Sequence, residues 1–316
     1  YTWTLSLSSP LRWTGYTGVG FSRISVNPSL SIIYKLNYAW RFTVHASYKE
    51  RYGEMTDLYD RPYQTDYRNS VWNCGILPVY RQQLYSVYGE YKSTAREFFA
   101  TVNLTHNREW YNRIYEQRIE NGQVQRVSLP LSNHGSGYTV KSTLSKGFYD
   151  LGLKTSLMAL LNISKAEQIS GGQRLPYQYR LMRLEPKVIW TPNRHWETSY
   201  QTDIRYGGSK IGERTRLAPL WNVIQQVQLS YIFSPIEASL SVDHYHNDVN
   251  EDQSVNAVFA DFSVSWKSGR WQITATATNL FDKRTYAYTR YASLESYTSW
   301  VRIRPREFLV AIRYRL

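Results

Sequence analysis

Apolar and polar residues alternate with a period of two along most of this chain. The segment 271–278, WQITATAT, is one example, with apolar residues at every odd position and polar residues at every even one. Successive side chains of a β-strand point to opposite faces, so the pattern predicts strands whose two faces meet different surroundings. The alternation recurs in about 15 segments, which predicts an all-β protein.

Short and long connections alternate between these segments. The short ones lie at residues 9–10, 37–39, 93–95, 146–147, 191–193, 234–235 and 267–270. The long ones cover about 50–82, 106–136, 165–175, 207–218, 246–254 and 285–298. Outer-membrane barrels are laid out in this way, with tight periplasmic turns and long extracellular loops. The sequence therefore predicts a transmembrane antiparallel up-and-down β-barrel over residues 1–316, as a single domain.

The number of predicted strands bears on which part of a barrel this chain forms. Bacterial outer-membrane barrels usually have an even number of strands, with both ends at the edge that carries the short turns. About 15 strands ending at that edge would place Tyr1 at the opposite edge, among the long loops. We therefore expect an N-terminal portion of the barrel to precede this chain.

Large aromatic residues flank most of the predicted short turns. They are Trp40, Trp190, Trp196, Phe233, Trp266 and Trp271. Such a row predicts the aromatic girdle of a membrane interface. Aromatic residues at strand ends can also cap the core of a soluble sandwich, but their recurrence at most short turns favours the girdle. The alternating run 147–164 is also longer than the usual strand of a soluble domain.

Composition and charge narrow the classes further. Apolar residues make up 42% of the chain and charged residues 20%, which argues against disorder. No apolar run reaches 18 residues, so the sequence predicts no membrane-spanning helix. Cys74 is the only cysteine, so the chain has no internal disulfide. The net charge of +13 is scattered rather than gathered in basic runs, so we expect no nucleic-acid partner.

The C-terminal third carries a recognisable motif. The sequence NLFDK at 279–283, followed by Tyr286, resembles the "NLFDK-x-Y" box near the end of TonB-dependent outer-membrane receptors. The ending 304–316, RPREFLVAIRYRL, resembles the closing strand of that family, and 73–91 resembles a weakened form of its "GNP-x-L-x-P-E" strand entry. The style is closest to receptors of Bacteroidetes-like bacteria. Residues that depart from the family's usual ending are Leu309, Ala311 and Leu316.

The resemblance implies a barrel of 22 strands with an N-terminal plug. This chain would be its C-terminal portion, without the plug and the first strands. The implied function is active import of a scarce nutrient across the bacterial outer membrane, with energy supplied through TonB. The nutrient would be an iron chelate, a glycan, a cobalamin or a peptide. The implied partners are outer-membrane lipid and lipopolysaccharide, the TonB complex acting through the plug, and a surface lipoprotein. No cofactor is expected.

One predicted extracellular loop concentrates aromatic and basic residues. Its candidates for ligand binding are Arg284, Tyr286, Tyr288, Arg290, Tyr291 and Trp300. Aromatic rings beside arginines can stack on a sugar or on a flat chelate. The same residues could instead extend an upper aromatic girdle, since aromatic residues are common where strands leave the membrane. Both interpretations place this loop outside the cell.

Patterns for catalysis and metal binding are weak. His244 and His246, near Asp243 and Asp248, have a spacing that can share a metal, but polar residues are expected wherever a strand leaves the membrane. No Ser-His-Asp order, paired-carboxylate motif or HExxH sequence appears. We therefore predict no metal site and no enzymatic activity.

Two other classes of protein fit parts of the pattern. A passive porin or adhesin barrel of 14 or 16 strands would need neither a plug nor an energy source. A soluble carbohydrate-binding β-sandwich would bury the apolar stripes between two sheets. The decisive observation is whether the apolar stripes are exposed or covered.

Overall fold

The computed structural model describes residues 1–120, 122–212, 215–249, 252–291 and 296–315. Its strands are β1 (Thr2–Ser8), β2 (Leu11–Tyr16), β3 (Phe21–Val26), β4 (Ser29–Lys35), β5 (Trp40–Tyr52), β6 (Tyr63–Gln64), β7 (Asn69–Trp72), β8 (Val79–Ser93), β9 (Phe98–Tyr111), β10 (Ile114–Glu120), β11 (Gln123–Leu129), β12 (Asn133–Phe148), β13 (Leu153–Ser170), β14 (Gln173–Asn193), β15 (Trp196–Ile211), β16 (Thr215–Phe233), β17 (Ile236–Asp248), β18 (Ser254–Ser268), β19 (Trp271–Thr278), β20 (Thr285–Tyr291), β21 (Ser296–Arg302) and β22 (Glu307–Tyr314). Short 3-10 turns lie at Thr17–Val19, Met55–Leu58 and Tyr149–Leu151. Within the described ranges, no helix combines the length and the apolar character needed to cross a membrane.

Eighteen of these strands form one sheet, and the main part of that sheet is a meander. The meander runs through β1, β4, β5, β8, β9, the eight strands β12 to β19, and β22, each antiparallel to the next. This confirms the predicted all-β, antiparallel up-and-down architecture. One edge of the sheet carries the short turns (the short-turn edge) and the other carries the longer connections (the long-loop edge).

The meander contains fourteen strands rather than about 15, and its first strand begins at the short-turn edge. β1 pairs with β4 so that Thr2 lies opposite Lys35, beside the short turn that precedes Trp40. The prediction that Tyr1 lies at the long-loop edge was therefore wrong. The error came from residues 11–27, because β2 and β3 pair with each other in a separate two-stranded sheet and add no strand to the meander.

The strand register aligns the alternation of the sequence across the sheet. On one face, a row across five successive strands consists of Leu229, Leu240, Phe262, Ala277 and Phe308. On the opposite face, the neighbouring row consists of Ser230, Ser239, Ser263 and Thr276. The sheet therefore has an apolar face and a polar face, as expected from strands whose successive side chains point to opposite sides.

The apolar face is exposed along the middle of the sheet. Leu144, Leu157 and Phe262, for example, expose 40%, 38% and 42% of their surfaces. A sandwich would enclose these side chains between two sheets. In the part of the chain that the structure describes, no second sheet buries this face, so the soluble sandwich alternative is wrong.

Two of the predicted long connections fold into an ordered layer at the long-loop edge. The hairpins β6–β7 and β10–β11 join in parallel through β7 and β11, and β10 meets β13 where Glu116 lies opposite Ile169. Ile114 and Val127 are buried within this layer. The long connections therefore bury apolar side chains, whereas Leu144, Leu157 and Phe262 on the apolar face of the main sheet stay exposed.

The two outermost strands of the meander, β1 and β22, are exposed along their whole length. Among the described residues, no backbone pairing joins these two strands to each other. Backbone groups without partners are costly in a lipid environment, and barrels avoid the cost by closing on themselves. In a membrane these edges require a partner strand.

Candidate functional site

The predicted girdle residues lie at the short-turn edge and are exposed on the apolar face. They are Trp40, Trp190, Trp196, Phe233, Trp266 and Trp271. Their aromatic neighbours are Tyr91 beside Trp40, Tyr231 beside Trp196, and Tyr314 beside Trp271, with ring centroids 4.7, 4.6 and 4.7 Å apart. These contacts join the aromatic residues of adjacent strands into one lower aromatic row.

A second aromatic row lies on the same face near the long-loop edge, and it was not predicted from the sequence. Its members are Tyr85, His106, Tyr138, Tyr206 and Trp221. His106 stacks on Tyr138 with ring centroids 4.3 Å apart, and Tyr206 contacts Trp221 at 4.6 Å. The sequence placed the upper girdle in the loop after β19, whereas this row belongs to strands earlier in the chain.

The two rows are separated by the thickness of a membrane core. On β15, Trp196 of the lower row and Tyr206 of the upper row share the apolar face. The intervening stretch of strand is about 33 Å long at about 3.3 Å per residue. At a tilt of about 40°, this length gives a band about 25 Å tall, which is the height of the apolar band of outer-membrane barrels.

The polar face carries a carboxylate with several neutral donors near the long-loop edge. Glu109 accepts hydrogen bonds from Tyr80 (3.0 Å), Gln82 (3.1 Å), Asn107 (3.0 Å) and Tyr111 (2.8 Å). These bonds link β8 and β9 side by side. Both oxygens of the Glu109 side chain therefore have hydrogen-bond donors, as polar groups removed from bulk water require.

A charged network lies on the same face of β14 and β15. Arg183 donates to both oxygens of Asp203, from Nε to Oδ1 and from Nη2 to Oδ2, each at 2.9 Å. Arg205 donates to Asp203 from Nε at 3.0 Å, and Arg183 also contacts Glu185. Two positive and two negative charges therefore share one patch of the sheet. Ionisable groups at membrane depth face a protein interior or a water-filled cavity.

The NLFDK box forms the turn between β19 and β20, and Asn279 holds that turn together. Its side-chain amide donates to the carbonyl oxygens of Lys283 (2.8 Å) and Arg304 (2.9 Å), and its side-chain oxygen accepts from the Lys283 N–H (3.0 Å). The Asn279 N–H donates to Asp261 Oδ1 at 2.7 Å. Asn279 is buried, with a φ of 51°, a left-handed conformation that asparagine tolerates better than most residues.

The turn directs the hairpin β20–β21 over the polar face. The ring of Tyr286 packs edge-on against Tyr245 of β17, with centroids 5.3 Å apart, and Asn247 Nδ2 donates to the Tyr286 hydroxyl at 2.9 Å. Asn247 is buried. Sequence reasoning missed Tyr245 and Asn247, although strand alternation places them on the face opposite the two histidines of the same segment.

The predicted ligand-binding residues occupy different surroundings in this hairpin. Arg284 is paired with Asp282, with Nη2 and Oδ2 2.9 Å apart. Trp300 is 70% exposed on β21. Tyr286 faces the polar side, so the prediction of an upper girdle is wrong for this residue. The remaining candidates are Tyr288, Arg290 and Tyr291, whose side chains lie outside the described part of the structure while their backbone belongs to β20.

Asp282 stabilises the same turn electrostatically. The hydrogen bond from Arg284 and the backbone N–H of Arg306, which donates to Asp282 Oδ1 at 3.1 Å, lower the pKa of Asp282 below its ordinary value. Asp282 also has a positive φ, of 50°. Arg284 therefore supports the turn in this structure, a role that the sequence analysis did not give it.

The two candidate metal-binding histidines point to the apolar face, with Asp243 on the other side of the strand. His246 Nδ1 lies 2.9 Å from Asn256 Oδ1, and its Nε2 lies 3.3 Å from Asp248 Oδ1. His244 Nδ1 faces the side-chain oxygen of Gln225 instead. Among the described residues, no three His, Cys, Asp or Glu side chains are grouped to hold a metal ion.

Known proteins offer only distant likenesses to this chain. No family model and no curated protein matches the sequence. Similar solved structures include the siderophore receptor PirA from Acinetobacter baumannii, at 8% identity and a TM-score of 0.42 over 80% of this chain and 52% of that one. The ferric yersiniabactin uptake receptor FyuA from Yersinia pestis has 7% identity and a TM-score of 0.44 over 92% of this chain and 50% of that one.

This chain therefore spans about half the length of those two receptors. The Pseudomonas putida toluene transporter TodX is similar at 11% identity and a TM-score of 0.27, over 90% of this chain and 82% of that one. At these sequence identities and TM-scores, the similarity to these proteins does not assign a function to this chain. The sheet itself defines the class of fold, an antiparallel up-and-down sheet with one exposed apolar face.

Proposed function

We propose that this chain forms the wall of an outer-membrane transport barrel of the TonB-dependent receptor type, which imports a scarce nutrient. The observation that carries the membrane assignment is the exposed apolar band between two aromatic rows, with a polar face behind it. Monomeric soluble proteins rarely expose a continuous apolar surface of this size. Lipid would cover the band, and the aromatic rows would lie at its two interfaces.

The polar face supports transport rather than anchoring alone. Its network of Arg183, Asp203 and Arg205 would line a water-filled passage, because charged groups at this depth need water or partners. The hairpin β20–β21 lies over this face and would narrow the passage on the long-loop side. The resemblance of 279–286 and 304–316 to TonB-dependent receptors supports energised import over free diffusion.

The proposed cargo is an iron chelate, a glycan, a cobalamin or a peptide, carried without chemical change. Trp300 is the best placed of the predicted ligand-binding residues, because its ring is exposed and can stack on a flat or sugar-like group. Energy would reach the barrel from the TonB complex through an N-terminal plug. Outer-membrane lipid and a surface lipoprotein are the other proposed partners.

A passive channel is the second candidate, and one observation favours it. The meander contains an even number of strands, which is the usual condition for a bacterial outer-membrane barrel that closes on itself. Such a channel would conduct without a partner.

Three measurements on the full-length protein test the proposal. Cell fractionation should place it in the outer membrane; recovery as a soluble protein would reject the membrane assignment. In planar bilayers, a gated receptor should show no steady conductance, whereas a passive channel should open in stable, reproducible steps. Deleting the gene should slow growth when one of the four cargo classes is limiting, deleting TonB alone should slow it in the same way, and the double deletion should grow no worse than the TonB deletion. Uptake that continues through this protein in cells without TonB would contradict energised import.

A further inference from the structure

A polar patch interrupts the apolar face on three adjacent strands, β16, β17 and β18. Its members are Gln225, His244, His246 and Asn256. Gln225 lies opposite His244, and His246 lies opposite Asn256 on the next strand. The strand register places all four side chains on the same face as Leu229, Leu240 and Phe262. None of the four is buried, so the polar patch is part of the outer surface of the sheet.

The polar patch lies inside the lipid-facing band rather than at its border. Gln225 is four residues from Trp221 of the upper aromatic row, toward the short-turn edge. At about 3.3 Å per residue and a tilt of about 40°, Gln225 and His244 lie about 10 Å below that row, in a band about 25 Å tall. Polar groups at this depth are costly unless they find partners, because hydrocarbon forms no hydrogen bonds.

The side chains of the polar patch are only partly bonded to one another. His246 Nδ1 lies 2.9 Å from Asn256 Oδ1, and His244 Nδ1 lies 3.4 Å from Gln225 Oε1. In the described part of the structure, neither His244 Nε2 nor Gln225 Nε2 has a hydrogen-bond partner. These two nitrogens therefore need a polar partner that lipid does not supply.

The surface around the polar patch is formed by small side chains. On the same face, its neighbours are Val223, Val227, Val242, Val258 and Ala260. The middle of β12 and β13 carries the larger Leu144, Leu157 and Leu161 instead. Small side chains let two membrane segments approach closely, and polar side chains then bond across the contact. The polar patch has both properties, which favours contact with another protein surface over contact with lipid.

The chemistry of the polar patch makes it complementary to itself. The side chains of glutamine, histidine and asparagine each carry a hydrogen-bond donor and an acceptor, so an identical patch can satisfy them. Its members include no lysine, arginine or carboxylate whose charge would repel a second copy. Two copies in one membrane have the same orientation, so a two-fold axis along the membrane normal brings the two patches together at the same depth. Such dimers are the commonest protein oligomers.

We propose that the polar patch is the contact surface of a two-fold symmetric dimer of this barrel. β17 of one copy packs against β17 of the other, and Gln225 and His244 form hydrogen bonds across the contact. The surrounding valines and Ala260 allow the two walls to approach closely. The polar face takes no part, so each barrel keeps its own passage. The inference goes beyond the proposed function, because it requires only that the apolar face meets lipid.

The first test measures dimer formation by the full-length protein in phospholipid vesicles. Energy transfer between donor-labelled and acceptor-labelled copies, followed as the protein is diluted in lipid, gives the dissociation constant. Q225L/H244L should weaken the dimer about tenfold, because symmetry removes two hydrogen bonds that are each worth about threefold in a membrane. The control H45L/Q228L changes the same residue types on the polar face and should match the wild type. A heat-modifiable gel shift shows that the variants are folded.

A second variant blocks the close approach without removing a polar group. Val242→Trp places a bulky ring beside the polar patch and should weaken the dimer at least tenfold. Leu161→Trp, on the apolar face of β13, is the matched control and should have no effect. A wild-type protein that stays monomeric at every dilution would overturn the proposal, and so would a dimer that Q225L/H244L and Val242→Trp leave unchanged.

Cross-linking in native outer membranes identifies the partner. Cys74 and any other native cysteine are replaced by alanine, and a single cysteine is placed at position 242 or, as the control, at 161. A short bismaleimide should yield a product of twice the mass of the protein from Val242→Cys alone. Equal products from both positions, no product, or a product that contains a different protein would overturn the proposal. A monomer that still imports leaves the transport function standing, and a dimer that fails the TonB test leaves this interface standing.

Discussion

Replacing Leu157 with arginine is expected to lower the free energy of unfolding in lipid vesicles by about 2–4 kcal/mol, the usual cost of arginine at the middle of a barrel's lipid-facing surface. Leu157 lies on the apolar face of β13, between Leu144 and Pro186, about midway between the two aromatic rows. A charge there would enter hydrocarbon. Equilibrium unfolding of the full-length protein in phospholipid vesicles, with guanidinium as denaturant, measures the change.

The matched control is the same substitution one residue further on. Met158 lies on the polar face, opposite Thr143 and Glu185, so an arginine there meets polar groups and a carboxylate. Met158→Arg is expected to change stability by less than about 1 kcal/mol. Equal losses for the two variants would show that the faces do not differ in environment, and a larger loss for Met158→Arg would reverse the assignment of the faces.

Asn279→Ala is expected to release the hairpin β20–β21 from the polar face, with a local loss of about 2–4 kcal/mol. Three side-chain hydrogen bonds disappear at a buried site, each worth about 1 kcal/mol. Alanine also tolerates the left-handed φ of 51° less well than asparagine. Hydrogen exchange of β20 and β21 should rise at least tenfold, while exchange of β13 stays unchanged.

Two further substitutions at Asn279 separate the causes. Asn279→Gly removes the hydrogen bonds but accepts the positive φ, so it should be less harmful than alanine. Asn279→Asp keeps an acceptor for the Lys283 N–H but loses the donors to the carbonyl oxygens of Lys283 and Arg304. If β20 and β21 exchange their amide hydrogens as slowly in Asn279→Ala as in the wild type, Asn279 does not hold the hairpin in place.

The alternation of residues was sufficient to predict the faces of the strands. Trp271 and Ile273 were assigned to one face and Gln272 to the other, and the pairing with β22 places the first two opposite Tyr314 and Ile312. The lower aromatic row was predictable for the same reason, because its members follow or precede short turns that the sequence marks with Pro, Gly and Asn. These are local signals, which do not depend on distant contacts.

The long-loop edge was less predictable, because its contacts join distant parts of the chain. Nothing near Tyr286 in the sequence indicates that its partner is Asn247, and the parallel pairing of β7 with β11 joins two separate long connections. The upper aromatic row was missed for a related reason. His106 and Tyr138 lie in segments assigned to long connections or their borders, whereas β9 and β12 continue to Tyr111 and from Asn133.

The most direct measurement of the central claim is the accessibility of single nitroxide labels along β13 in outer-membrane lipid vesicles. Each label is attached to a single introduced cysteine, so Cys74 and any other native cysteine of the full-length protein are first replaced by alanine. Labels at positions 153, 157 and 161 should collide mainly with oxygen, which concentrates in lipid, and labels at 156, 158 and 162 mainly with a water-soluble nickel reagent. This two-residue alternation is the predicted result. Equal access of the nickel reagent to both sets would contradict a lipid-facing apolar surface.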